Sequence, residues 1–503
     1  MKKIATALLS CALAAATLAG CAANAAQVPQ ESQEPHTAAL TATAAASVKS
    51  PKYVFLFIGD GMSYPQIQST SDYLGALKDA DYWQAQPSLD DNQGAILDGP
   101  EYLNFMNFGA AGSAVTYDSN SFAPDSASTA TSISTGHKTY SGSINVDETG
   151  TIEYETIAEQ LKAQKGWEIG VITSVNLNHA TPAAFYAHQA SRSSYYEIGL
   201  ELVESGFDYF AGGGLLKPTG SSGDQTDLYE LAQEAGYTVA KTHAEADAIG
   251  TNTEKAIIID EDLADSDAMA YELDRTDDMW ALADYVAKGI EVLDNDTGFF
   301  MMCEGGKIDW ACHANDAASS IHDTQALADA VQVAIDFAKE HADETLILVT
   351  GDHETGGLTI GFAGTDYDTY LDLLENQKIS FAKYDSDYVA SYKANKPPFG
   401  TVLADIEKLF GLKAQGEEGD KLVLTAYEME QLRAAYEKSI NGTASSQYDQ
   451  AEYVLYGTYE PLSVTITHII NNKSGISFTS YSHTGLPVAV LAEGAGSEMF
   501  NGY

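Results

Sequence analysis

Phe299-Phe300-Met301-Met302-Cys303 runs straight into Glu304-Gly305-Gly306-Lys307-Ile308-Asp309, and His313 follows four residues after Asp309. An apolar run of this length, without polar alternation, reads as a strand buried on both faces, as in a parallel sheet. In open α/β sheets, ligand sites lie just past the carboxyl ends of such strands. A second run repeats the arrangement: Leu346-Ile347-Leu348-Val349 ends in Thr350-Gly351-Asp352-His353. Carboxylates and imidazoles delivered to one sheet edge make a donor set suited to divalent zinc. The pairing points to a metal-dependent enzyme.

Further strand-like runs bring more groups to that edge. Tyr53 to Ile58 delivers Gly59-Asp60-Gly61-Met62-Ser63, and Val488 to Leu491 follows Ser482-His483-Thr484-Gly485. Trp167 to Ile172 reads as another strand, carrying Thr173 toward the site. Between them stands Pro124-Asp125-Ser126-Ala127-Ser128-Thr129-Ala130-Thr131, closed by Ser134-Thr135-Gly136. These small residues open a helix with Ser126 in its first turn, where free N–H groups and the positive dipole end favour anions. Such a serine, set beside zinc, ionises near neutral pH and attacks phosphorus.

These blocks, in this order, closely resemble those of the alkaline phosphatases, over a core from about Lys52 to Tyr503. The resemblance rests on Gly59 to Met62, the Asp125-Ser126-Ala127 block, Ala180-Thr181-Pro182-Ala183-Ala184 through Arg192, Glu304-Gly305, the Asp309/His313 pair, Asp352-His353 and His483-Thr484-Gly485. One block alone would be weak, whereas the ordered set is specific.

The resemblance implies a role for each group. Asp309, His313 and His483 would hold a first zinc. Asp60, Asp352 and His353 would hold a second, with Ser126 as its exchangeable ligand and the nucleophile. Glu304, Thr181 and a shared oxygen of Asp60 would hold a third metal, usually magnesium. Arg192 would clamp two phosphate oxygens with its planar fork, and Asp125 would orient it. Two zinc ions roughly 4 Å apart stabilise both oxygens of an in-line displacement. The expected reaction is hydrolysis of small phosphate monoesters through a phosphoserine, with broad tolerance of the leaving group. Relatives vary at the positions of His179 and Trp310, which border the third metal and the phosphate.

Simpler roles exist for the same residues. Asp309 and His313 could merely decorate a helix start, Ser126 could be a plain N-terminal helix serine, and Arg192 a surface residue. His179 fits an outer hydrogen-bonding role as well as direct ligation. His137, His188 and His468 read as structural, and Cys312 as a packed thiol.

A chain of 503 residues exceeds one ordinary core. The expected architecture is nevertheless one α/β catalytic domain over residues 51–503, with a mostly parallel central sheet flanked by helices. Residues 155–161 and 317–338 carry helical periodicity, as alternating β and α units require. Residues 363–472, rich in Tyr, Asp and Lys, form a long insertion before the last metal ligand, suited to a lid or a dimer contact. Members of the resembled family are commonly homodimers, and the Tyr-rich stretch 367–392 suits such an interface. The chain stops at Gly502-Tyr503, soon after its last strand, consistent with a short tail beyond it.

The N-terminus has the form of a lipoprotein signal peptide, residues 1–20: Met1-Lys2-Lys3, an apolar stretch, then Leu18-Ala19-Gly20-Cys21. Cys21 would carry the lipid, and residues 21–50, rich in Ala, Thr, Ser and Gln, would form a flexible tether. The expected location is outside the cytoplasmic membrane, attached only through that lipid. Only Cys303 and Cys312 remain beyond this region, too few for a disulfide framework. With 26 basic against 72 acidic residues, net −46, the surface excludes nucleic-acid partners and repels phosphate esters at long range. Metals and Arg192 would have to invert that sign locally. The alternatives are a phosphodiesterase or sulfatase on the same metal scaffold, or a phosphate-binding lipoprotein without turnover.

Overall fold

In the computed structural model, described over residues 50–82, 96–442 and 445–502, the two quoted apolar runs are neighbouring strands of one sheet. In chain order the sheet strands are β1 (Tyr53–Gly59), β2 (Ala110–Ala114), β3 (Glu168–Asn176), β4 (Tyr209–Gly213), β5 (Thr238–Ala240), β6 (Ala256–Ile259), β7 (Phe299–Gly305) and β8 (Thr345–Gly351). Four two-residue strands follow, β9 (Glu354–Thr355), β10 (Thr359–Ile360), β11 (Ile476–Ser477) and β12 (His483–Thr484), before the last sheet strand, β13 (Val488–Gly494). The nine-stranded sheet has the order β2-β13-β8-β1-β7-β3-β4-β6-β5. Pairings are parallel except those of β13 with β8 and β2.

Continuous apolar runs form these strands because both faces are covered. Phe55, Phe57, Met301, Cys303, Ile347 and Val349 point into one buried cluster, shared with Leu327 and Val331 of the helix Ala317–Glu340. Val54, Leu56, Ile58, Phe300, Met302 and Leu346 enter the opposite cluster, with Ala127 and Ala130 of the helix Ser126–Thr135. Each such side chain, fully buried, stabilises the fold by roughly 1.5–3 kcal/mol.

Register then places the site. Gly59 of β1 pairs with Gly305 of β7 and Gly351 of β8, so Asp60, Glu304 and Asp352 occupy one level of the sheet edge. Because β13 runs antiparallel to β8, its beginning lies at that same edge, and it is the segment before β13 that carries His483. The sequence reading expected the last ligand at this edge without showing the reversal that puts it there.

Residues 363–472 build a third cluster around Leu374, Tyr384, Tyr392, Phe410, Leu432 and Ile466, closed against Tyr73, Ala317 and Ile321. Tyr384 (0% exposed) and Tyr392 (5%) are thus used inside the chain, while Tyr367 is 71% exposed. The insertion is a packed part of the catalytic unit.

The histidines read as structural find protein partners. His468 Nε2 lies 3.0 Å from Asn315 Oδ1, and His137 stacks on Tyr154 with centroids 4.3 Å apart. His188 sits between Glu159 (Nε2–Oε2 3.5 Å) and Glu201 (Nδ1–Oε2 3.7 Å). Burial alone would lower its pKa, but these two carboxylates outweigh it and push it up to about 10. A histidine whose folded pKa is raised adds stability that is complete below its unfolded pKa, about 6.5, and lost as pH climbs through 10. His188→Gln is therefore expected to destabilise the protein by roughly 2 kcal/mol at pH 6, after discounting for the partly exposed carboxylates, and by far less above pH 10. Urea unfolding at the two pH values checks this.

Candidate active site

Three histidines define the site through the nitrogen that each keeps free. His313 Nδ1 lies 2.6 Å from the Tyr481 carbonyl, and His483 Nδ1 lies 2.5 Å from the Pro124 carbonyl. A carbonyl only accepts, so both rings carry their proton on Nδ1 and present Nε2 as a lone pair. The two Nε2 atoms nevertheless face each other at 3.0 Å, with Asp309 Oδ2 3.4 Å from one and Oδ1 3.6 Å from the other. Lone pairs and a carboxylate converging on one point repel unless a cation stands among them.

His353 repeats the pattern. The Thr355 hydroxyl gives its proton to Asp309 Oδ1 at 2.5 Å, so its oxygen accepts from His353 Nδ1 at 3.3 Å. His353 Nε2 then faces Asp60 Oδ1 at 3.4 Å, Asp352 Oδ2 at 3.3 Å and Ser126 Oγ at 3.2 Å. Asp309/His313/His483 and Asp60/Asp352/His353 are each grouped with donor atoms within 4.8 Å of one another. Protein groups fix the carboxylates: Thr129 donates to Asp352 Oδ2 at 3.0 Å and the Gly61 amide to its Oδ1 at 3.1 Å.

A third donor set lies behind Asp60. Glu304 accepts from Thr173 through one oxygen, at 2.5 Å. Its other oxygen, Asp60 Oδ2 and Thr181 Oγ1 are buried without hydrogen-bond partners among the described residues. Orphaned oxygens of this kind are unusual in a native interior and match the all-oxygen environment that magnesium prefers.

The electrostatics agree. Burial, together with the charges of neighbouring carboxylates, pushes Asp352 and Glu304 up to about 7 and Asp60 well up. Asp309 is held low when positive charge stands on the His313, His483 and His353 side, which more than offsets the rise from burial; with those rings neutral, a bound cation would take that part. Four carboxylates in one buried pocket need cations to remain ionised together.

Asp125 does two jobs. One oxygen caps the helix Ser126–Thr135, accepting from the Ser128 amide at 3.2 Å, and the other accepts from Arg192 Nη1 at 2.8 Å. That helix ends at Gly136, whose left-handed φ of 76° closes it. Ser126 therefore sits at the first helical position, 2% exposed, with Oγ 3.5 Å from Asp60 Oδ1. Arg192 Nη2 lies 3.4 Å from His179 Nε2. Burial first, and then the guanidinium, lower His179 to about 3, so it is neutral and accepts from Arg192. Trp310 packs edge-on against His179, with centroids 5.9 Å apart.

All thirteen residues singled out in the sequence thus gather around one cleft. Its cavity, about 450 Å³, is lined by Ser126, His179, Arg192, Asp309, Trp310, His313 and His483, with Asp265, Ser266, Tyr271, Phe381 and Tyr459. A larger apolar groove of about 880 Å³ lies near Val54, Leu56, Trp167 and Phe300 and reaches Thr129 and Asp352 behind the site, though neither Ser126 nor Arg192 lines it. Cys303 and Cys312 are both buried free thiols. Sequence reasoning missed Thr129, Thr355, Tyr271, Phe381 and Tyr459, since none stands in a motif of its own. Lys307 lay in the quoted stretch and drew no role, although its side chain is fully buried.

The fold and the donor sets define a metal-binding hydrolase. The family model described as alkaline phosphatase matches residues 51–503, and the chain belongs to that family. It is 30% identical to alkaline phosphatase 4 of Bacillus subtilis (strain 168) over 458 residues, 89% of this chain and 85% of the relative. The cold-active alkaline phosphatase of the psychrophile Shewanella sp. superposes with a TM-score of 0.68 at 28% identity, over 90% of this chain and 96% of that one. A histidine-to-aspartate variant of the alkaline phosphatase from the Antarctic bacterium TAB5 matches at a TM-score of 0.57 and 25% identity, covering 90% and 94%.

Proposed function

We propose that this chain hydrolyses phosphate monoesters through a phosphoserine on Ser126, with two zinc ions and a third metal. The observation that carries the reading is the convergence of three imidazole lone pairs and four carboxylates beside the Ser126 hydroxyl, with Arg192 held by Asp125 across the cleft. Asp309, His313 and His483 would hold one zinc, Asp60, Asp352 and His353 the other, and Glu304, Thr181 and Asp60 the third ion, magnesium. When bound, these ions neutralise the substrate phosphate and stabilise the attacking and leaving oxygens.

The chain's own groups then do the positioning. Arg192 presents two parallel N–H donors to two phosphate oxygens. Asp125 fixes that fork, and half-buried, neutral His179 accepts from its other side. Ser126 Oγ gives up its proton to solvent and attacks phosphorus, its bond to phosphorus forming as the ester P–O bond breaks. The alkoxide takes a proton from water and departs into the cleft as the alcohol. Water then cleaves the phosphoserine, its oxygen bonding to phosphorus as the Oγ–P bond breaks and a proton returning to Oγ. A diesterase would need a neutral place for its second ester, and Arg192 occupies that ground. The test is a comparison of kcat/KM for a monoester, a diester and a sulfate with the same leaving alcohol; a clear lead for the monoester is expected, and equal rates would refute it.

The third site carries its own prediction. His179 offers nitrogen near oxygen donors, and nitrogen suits zinc better than magnesium. The TAB5 variant with aspartate in place of a histidine is described with magnesium bound in the M3 site. His179→Asp is expected to lower the magnesium concentration for half-activation about tenfold, and Trp310→Lys, by adding a cation beside the phosphate, to tighten phosphate inhibition and lower kcat. Activation curves and phosphate Ki that stay unchanged in both variants would leave these as packing residues.

We further propose a catalytic domain over residues 51–503, a lipid on Cys21, a tether over residues 21–50 after a signal peptide of residues 1–20, extracytoplasmic location and a homodimer. Cys21 and the tether up to residue 49 lie outside the described residues, and no described helix is long and apolar enough to cross a membrane. Cys21→Ser is expected to move most of the protein from the membrane to the soluble fraction; unchanged retention counts against the lipid.

A further inference from the structure

Resting on the phosphomonoesterase reading, we propose that the insertion builds a leaving-group subsite that favours monoesters of neutral planar or aromatic alcohols, such as aryl and nucleoside monophosphates. In an in-line displacement the leaving oxygen departs opposite the attacking one, so it points away from Ser126 into the cleft. The cleft beyond the catalytic groups is lined by four aromatic rings, Tyr271, Trp310, Phe381 and Tyr459. Phe381 and Tyr459 come from residues 363–472, and they pack edge-on, with centroids 5.7 Å apart at 83°. Phe381 in turn meets Tyr271 at 5.7 Å and 64°.

The wall is held from beneath. Lys307 Nζ, fully buried, stands 4.1 Å from the Tyr271 ring centroid and 4.6 Å from that of Trp310, and it pairs with Asp265 at 2.6 Å. A cation clamped between two rings and a carboxylate fixes their planes, so ligand binding orders little that is not already ordered. The Tyr271 hydroxyl is itself buried and has no hydrogen-bond partner among the described residues, so the ring presents its apolar part to the cleft. The Asp265 carboxylate lines the same cavity, and it disfavours a leaving group that carries a second phosphate.

The test compares the zinc-loaded protein with Phe381→Ala and Tyr459→Ala, backed by Phe381→Leu and Tyr459→Leu should the alanine variants fold poorly. In the variants, kcat/KM for 2-naphthyl phosphate is expected to fall about tenfold while that for ethyl phosphate stays within about twofold. Comparing variant with wild type on each ester cancels the intrinsic reactivity of the two leaving groups. Naphthylmethylphosphonate should bind more tightly than methylphosphonate, and the variants should lose that preference. Equal losses on both esters, or no loss on either, overturn the subsite. A wild-type protein that hydrolyses neither ester sinks the phosphomonoesterase reading instead, and calorimetry with the phosphonate pair still decides the subsite: an aryl preference supports it, equal binding overturns it.

Discussion

Replacing Ser126 by alanine is expected to lower kcat by roughly 10³-fold or more, because on the proposed mechanism the site would lose its nucleophile and keep only binding and electrostatic stabilisation. The change should leave the rest of the site standing. Asp125 caps the helix before Ser126, whose hydroxyl has two hydrogen-bonding neighbours among the described residues, His353 Nε2 at 3.2 Å and Asp60 Oδ1 at 3.5 Å. Alanine is a good helix former, so the helix Ser126–Thr135 persists, at a cost of about 1 kcal/mol for the lost hydrogen bond. Arg192 keeps its 2.8 Å contact with Asp125, so phosphate should still compete for the site. The checks are steady-state rates, metal content by elemental analysis and phosphate Ki on the same preparation. Wild-type turnover in the variant would remove Ser126 from the mechanism; a loss of bound metal would make it a structural ligand first.

Stripping the metals should have the next largest effect: activity falls below detection, returns with zinc, and stability drops in a pH-dependent way. Without cations, Glu304 and Asp352 titrate near pH 7, raised chiefly by burial, against about 4 in the unfolded chain. Between these values the two carboxylates bind more protons in the folded metal-free protein than in the unfolded chain. Their contribution to its stability therefore declines as pH rises from about 4 to 7 and stays low above that. Zinc opposes this by favouring the ionised carboxylates, so the gain in unfolding free energy on adding zinc should be small at pH 5 and large at pH 8. At a thousandfold excess over Kd it reaches about 4 kcal/mol. Scanning calorimetry of stripped and reloaded protein at both pH values checks the sign; an equal gain at pH 5 and 8 would show that these carboxylates do not receive the metal.

The fold was legible where chemistry and periodicity coincide. The apolar runs 299–303 and 346–349 marked β7 and β8 because burial on both faces leaves no room for polar alternation. The small-residue run marked the helix of Ser126. The far half of the sheet was not legible: β4 (Tyr209–Gly213) ends in two glycines, and β5 and β6 are only three and four residues long. β6 is Ala-Ile-Ile-Ile, a strand-forming composition, but runs this short are ambiguous alone, and pairing with β3 and with each other is what sets them in the sheet.

The site divides similarly. Every metal-type donor was visible as a residue at a strand end or in a motif. What the sequence hid was the groups that fix those donors: Thr355 between Asp309 and His353, Thr129 on Asp352, and the carbonyls of Tyr481 and Pro124 that set the tautomers of His313 and His483. A backbone carbonyl has no sequence signature, and a threonine becomes informative only when its partner is known. The insertion's part in the cleft was hidden for the same reason, since Phe381 and Tyr459 reach Tyr271 only through tertiary packing.

The most direct test of the mechanism is to quench the metal-loaded protein with acid during turnover of a monoester labelled in its phosphoryl group, and to map the label by peptide analysis. Up to one phosphoryl group per chain, confined to the peptide that contains Ser126 and absent from Ser126→Ala, is the expected result. Label on another residue, or steady hydrolysis with no covalent phosphate under conditions that preserve a phosphoserine, would contradict it.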